Sequence, residues 1–154
     1  MYGLQGFDRR QVLPENVVGK KPEKIVLVIT DGGSQELYDT LSFEGEKIEV
    51  HPFSKAPEVV KDCQVDLILL DCNVNVDEGL KILRNNKTSC PAIPNIFITD
   101  VNLEGVVLRA FRAGARDFFR KPVNVPELRE TVEGLLSVKK SSREKRAPFI
   151  KNLT

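Results

Sequence analysis

Hydropathy along the chain alternates between short, unbroken apolar runs and longer stretches with apolar positions at helical spacing. Lys24 to Thr30 (Lys-Ile-Val-Leu-Val-Ile-Thr) is apolar on both faces, as expected of a central strand in a parallel sheet. Asp31-Gly32-Gly33-Ser34 breaks it, with Ser34 placed to cap a helix running to about Phe43. Glu46 to Phe53 predicts a weaker strand, and Ala56 to Asp62 a short helix with Pro57 in its first turn. Val65-Asp-Leu-Ile-Leu-Leu-Asp71 predicts a buried strand that carries a carboxylate to its C-terminal end. After an irregular loop comes a helix from about Asp77 to Asn85, with Leu80 and Leu83 turned inward. Pro91 and Pro94 punctuate the approach to a fourth strand ending at Thr99. Leu103, Val106, Val107, Ala110 and Phe111 recur at helical spacing before Gly114 stops that helix. Asp117 to Lys121 predicts a fifth strand, and Val125 to Val138 a last helix with Leu128, Val132, Leu135 and Leu136 on one face.

Five strands alternating with five helices predict an α/β fold, a parallel sheet wound on both faces. Right-handed crossovers then bring every strand's C-terminal end to one edge, where such sheets bind ligands. With 154 residues, 41% of them apolar, the chain can build one substantial core. The boundaries expected are an N-terminal arm over 1–23, a folded domain over 24–138 and a basic tail or linker over 139–154. Charge follows these boundaries, because the net +1 conceals −6 over residues 25–138 and +5 over 139–154. The basic end could touch nucleic acid or an anionic surface, although a solvated linker or the start of a longer segment accounts for it better.

No stretch of 18 apolar residues and no N-terminal signal-type apolar run occur, which predicts a cytoplasmic protein without a membrane contact. Three cysteines (Cys63, Cys72, Cys90) without metal-ligand spacing, and His51 as the single histidine, argue against a zinc site or Cys–His catalysis. The cysteines are expected to be reduced thiols, and Cys72 to be buried on the sheet face opposite Asp71. Gly32-Gly33 lacks the glycine–lysine–hydroxyl pattern of a phosphate loop, so a turn is expected there.

The chemistry is concentrated at the strand ends. Asp71 supplies a carboxylate, Thr99 a hydroxyl and Lys121 an ammonium, with Asp31 following the first strand. One nucleophile, one hydrogen-bond donor and one cation at a shared edge suit a single phosphoryl group. Each residue also has a plainer explanation: Asp71 as a turn or cap, Lys121 as a surface lysine before Pro122, Thr99 as a strand former.

Taken in order, Asp71, Gly79 eight residues on, Thr99, Gly114-Ala115-Arg116-Asp117-Phe118 and Lys121-Pro122 resemble a response-regulator receiver domain over about Lys24 to Val138. That resemblance implies a flavodoxin-like (βα)5 fold with strand order 2-1-3-4-5 and phosphorylation of Asp71 by the phosphohistidine of a sensor histidine kinase or phosphotransfer protein. It implies Mg²⁺ held by Asp31, Asp71 and the backbone carbonyl of Asn73, a cis Lys121-Pro122 bond, and switching through Thr99 and Phe118. The role implied is signalling rather than turnover of a substrate. A homodimer through the fourth helix, fifth strand and fifth helix is a further family-based expectation. Contact with nucleic acid would belong to an output domain.

Two departures bear on this picture. The family's adjacent acid pair reads Thr30-Asp31, which removes one negative charge from the metal site. The Met-Pro pair common after the phosphorylated aspartate reads Val74-Asn75. Weak Mg²⁺ binding and slow phosphorylation follow as expectations. The alternatives are a pseudo-receiver that binds partners without phosphorylation and, less well supported, a small α/β enzyme or flavodoxin.

Overall fold

A computed structural model describes residues 24–32, 35–41 and 46–145. The N-terminal arm, the Ser34 cap, the end of the first helix near Phe43 and residues 146–154 lie outside them. The strands are β1 (Lys24–Thr30), β2 (Glu46–Pro52), β3 (Leu67–Cys72), β4 (Asn95–Thr99) and β5 (Asp117–Arg120). Between and after them lie α1 (Gln35–Thr40), α2 (Ala56–Val60), α3 (Val76–Ser89), α4 (Val106–Ala113) and α5 (Val125–Lys145). All pairings are parallel, as the strand pattern predicts, and the order is β2-β1-β3-β4-β5, as the family resemblance implies.

Strand alternation sorts the interior into two cores. Leu27, Ile29, Ile68, Leu70, Cys72 and Phe97 point toward α2, α3 and α4, whereas Val26, Val28, Leu67, Leu69, Ile96 and Ile98 point toward α1 and α5. All six residues of β3 are buried, which is why that segment reads as a continuous apolar run. Each of the largest of these side chains contributes about 1.5–3 kcal/mol through burial.

α3 is longer than its sequence pattern suggests. The Asn75 side chain accepts a hydrogen bond from the Glu78 N–H (3.1 Å), capping the helix one turn before Leu80, and the helix continues to Ser89. Gly79 lets α3 approach the sheet: a Cβ there would lie 3.0 Å from Cys72 Sγ. α5 likewise runs past Val138 to Lys145. α4 is amphipathic in an unexpected sense. Its small residues Ala110 and Ala113 face inward with Val106, while Val107, Leu108 and Phe111 are exposed. Phe111 therefore does not belong to the core, contrary to what its aromatic ring suggests.

The expectation of three reduced thiols is not met. Cys63 and Cys90 form a disulfide across a sequence separation of 27, and Cys72 is the free cysteine, buried as expected. Cys63 follows α2 in a left-handed conformation (φ 52°), and Cys90 caps the C-terminus of α3. The longer α3 is what carries Cys90 to Cys63. A disulfide suits an oxidising compartment better than a reducing cytosol, so cysteine usage gives no support to an intracellular location.

Candidate functional site

Asp71, Thr30, Thr99 and Lys121 do converge at one sheet edge. Thr30 and Asp71 are register partners on adjacent strands, and Cys72 pairs with Thr99. The Asp71 side chain is fully buried, and its Oδ1 lies 2.6 Å from Lys121 Nζ, itself 14% exposed. The ammonium offsets part of the desolvation cost of a carboxylate this deep. The Lys121-Pro122 bond that follows the lysine is cis, as the resemblance implied.

The residue in place of the missing acid also bonds to Asp71. Thr30 Oγ1 donates to Asp71 Oδ2 (3.1 Å) and accepts from the Gly32 N–H (3.0 Å). Gly32 holds φ +119°, a left-handed conformation that suits glycine and turns its N–H back toward Thr30. A neutral hydroxyl thus occupies the flank of the buried carboxylate.

Asp31 is engaged differently. Its Oδ1 accepts from the Asn73 N–H (2.7 Å) and Nδ2 (3.1 Å), and its Oδ2 from the Val74 and Asn75 N–H groups (2.9 Å each). Burial pushes its pKa up, but these four hydrogen bonds outweigh that and hold it below the ordinary carboxylate value. Asp31 is therefore the anchor of the β3–α3 loop as well as a candidate metal ligand. Four donors also occupy the lone pairs that a cation would use.

The family resemblance implies a role for the Asn73 backbone carbonyl, but it is the side chain that connects the site. The amide nitrogen reaches Asp31 and the Gly32 carbonyl, while the amide oxygen accepts from Lys121 Nζ. No sequence signal distinguishes this asparagine from an ordinary loop residue.

Thr99 is fully buried, and its hydroxyl accepts from the Val101 N–H (3.0 Å). By alternation it faces the α3–α4 side, the opposite side of the sheet from Asp71. Phe118 is on the Thr99 side as well. Its ring stacks on Phe97 with centroids 6.1 Å apart, and the Arg120 guanidinium lies 5.9 Å above it. Arg120 also donates to the Val101 carbonyl and Asn102 Oδ1 (3.3 and 3.0 Å), binding the loop after Thr99 to the Phe118 ring. Nothing in the sequence marks Arg120, whose charge suggests only a solvated strand end.

Among the described residues there is no cluster of three or more His, Cys, Asp or Glu side chains suited to a metal, and no helix long and apolar enough to cross a membrane.

Comparison with known proteins places this geometry. The model of the response regulator receiver domain matches residues 26–133. The two-component response regulator ARR8 of Arabidopsis thaliana is 24% identical over 135 residues, covering 86% of this chain and 58% of that protein. The regulatory protein LuxO of Vibrio vulnificus (strain YJ016) is 36% identical over 80 residues, 52% of this chain and 17% of LuxO. This chain thus spans little more than half of the first relative and under a fifth of the second. A CheY-like response regulator receiver domain protein from Methanospirillum hungatei JF-1 has the same fold, with a TM-score of 0.67 and 22% identity over 77% of this chain and 98% of its own. With a family match across most of the described sheet and the acidic, hydroxyl and lysine groups gathered at its edge, the chain belongs to the response regulator receiver domain family.

Proposed function

We propose that the chain is a phospho-accepting switch of a two-component system. The observation that carries this reading is the buried Asp71 carboxylate paired with Lys121 at 2.6 Å. An Asp71 oxygen attacks phosphorus, the P–N bond to a kinase or phosphotransfer histidine breaks, and the imidazole leaves. Lys121 offsets the negative charge that gathers on the phosphoryl oxygens. The Thr99 hydroxyl, which now accepts from the Val101 N–H, would turn to donate its own proton to a phosphoryl oxygen, with Phe118 following on the same face of the sheet. The exposed Leu103, Val107, Leu108 and Phe111 give the α4 side an apolar surface for a partner, a second copy of the chain included. The reading places the chain beside its kinase in the cytoplasm, where the Cys63–Cys90 bond would face a reducing thiol pool.

Asp31, Asp71 and the Asn73 carbonyl are oxygen donors of the kind Mg²⁺ takes, so the residues fit that ion chemically. When bound, Mg²⁺ would lower the repulsion between the carboxylate and the incoming phosphoryl group. Binding would require Asp31 to release some of its four N–H donors and would proceed without the acid that Thr30 replaces. Weak affinity follows. Thr30→Asp should tighten Mg²⁺ binding about tenfold or more, since one added carboxylate near a divalent ion at the surface gains at least ~1.4 kcal/mol. Calorimetric titration of both proteins checks this, and equal affinities would remove Thr30 as the cause.

The function itself is tested by intact mass after incubation with acetyl phosphate and Mg²⁺. Wild type should gain one hydroxylamine-labile phosphoryl group, about 80 Da, and Asp71→Asn should gain none. An Asp71→Asn protein that still gains the group would move the acceptor elsewhere. Failure of wild type with acetyl phosphate and with a panel of kinases would transfer the reading to a phosphorylation-independent binding module.

A further inference from the structure

Asp71 is supplied with donors unevenly. Thr30 donates to Oδ2, while Lys121 is ion-paired to Oδ1 without a well-directed hydrogen bond. Two buried side-chain polar atoms lack a hydrogen-bond partner among the described residues: Asp71 Oδ1 and Tyr38 Oη. One is an acceptor, and the other carries a donor proton.

They also share a layer. Asp71 has the strand parity of Leu67 and Leu69, which form the α1–α5 core with Tyr38. The Tyr38 residue is 4% exposed, so water does not offer its hydroxyl an easy alternative. Burial first, then the charge and hydrogen-bonding capacity of Asp71, hold the phenol well above its ordinary pKa, which keeps it a neutral donor. A ring needed only for packing would be served by phenylalanine, because a buried hydroxyl left idle costs its full desolvation.

We propose that Tyr38 is a positioning residue for Asp71: its hydroxyl donates to the carboxylate from beneath the sheet edge and, with Thr30, fixes the plane in which the carboxylate meets phosphorus. The carboxylate is then held by two neutral hydroxyls and one ammonium, a set that α1 and β1 complete without a second acid. This rests on reading Asp71 as the phosphoacceptor.

The chain has two tyrosines and no tryptophan, so a Tyr2→Phe background leaves Tyr38 as the one tyrosine fluorophore. A carboxylate hydrogen bond quenches tyrosine emission. In that background, Asp71→Asn should raise the emission, and phosphorylation of Asp71 should change it too. Tyr38→Phe, in the otherwise native chain, should melt at a lower temperature and take up the phosphoryl group from acetyl phosphate about tenfold more slowly at saturation, with little change in half-saturating concentration. Emission left unchanged by Asp71→Asn overturns the contact. A Tyr38→Phe protein that melts at or above wild type and reacts at the wild-type rate overturns the positioning role. If wild type accepts no phosphoryl group, the phosphoacceptor reading fails on its own, and emission and melting still decide whether Tyr38 holds the carboxylate.

Discussion

Lys121→Met should slow phosphoryl uptake from acetyl phosphate by about 100- to 1,000-fold, the usual effect of removing one preorganised charge-stabilising donor. The reason is geometric. Lys121 lies 2.6 Å from Asp71 Oδ1 and also donates to Asn73, so one ammonium serves both the Asp71 carboxylate and the loop beside it. Methionine keeps most of the length and removes the charge. The same variant should be less stable by about 3 kcal/mol, because a fully buried carboxylate would lose its cation. Intact-mass time courses read the first effect and urea midpoints the second. Uptake within tenfold of wild type would show that the lysine is a structural counter-ion only. Lys121→Arg separates the two roles further: it restores charge for stability, while its fork cannot reproduce a point contact with both Asp71 and Asn73.

Opening the Cys63–Cys90 bond should cost about 3–4 kcal/mol, the chain-entropy value for a loop closed over a sequence separation of 27. Urea denaturation with and without a reductant measures it, with Cys63→Ser/Cys90→Ser as the permanently open form. The open form also leaves residue 63 in a left-handed conformation without the covalent partner that holds it there. Thiol titration of the unfolded protein should find one free cysteine before reduction and three after it. Three before reduction, with unchanged urea midpoints, would show the bond to be absent in solution.

These effects differ in how far the sequence foretells them. The run from Val65 to Asp71 is legible because a strand buried on both faces leaves little choice of residue, so an acid at its end stands out. Thr99 and Lys121 become legible through topology, which sends parallel strand ends to one edge. Burial along α4 is harder to read, since Val106 and Val107 are equally apolar and only tertiary packing chooses the side with Ala110 and Ala113. The Cys63–Cys90 pair depends on where two helices end, a boundary that periodicity leaves uncertain by several residues. Asp31 as a loop anchor is hidden for another reason: its partners are backbone N–H groups of residues 73 to 75, which carry no side-chain signal. Tyr38 looks in the sequence like one more large residue on an inward helix face.

The alternation of the strands has a consequence for how such a protein can change over time. Thr30, Asp71 and Tyr38 belong to the α1–α5 side, while Thr99, Phe118 and the exposed α4 residues belong to the other. On the phospho-acceptor reading, a single sheet's thickness would separate the residues that hold Asp71 from those that would address a listener, with Thr99 reaching the phosphoryl group from the listener's side. Substitutions on one side would then retune timing while leaving the message's recipient alone, and the reverse would hold equally. On that reading, Thr30 in the place of an acid would be an edit confined to the clock.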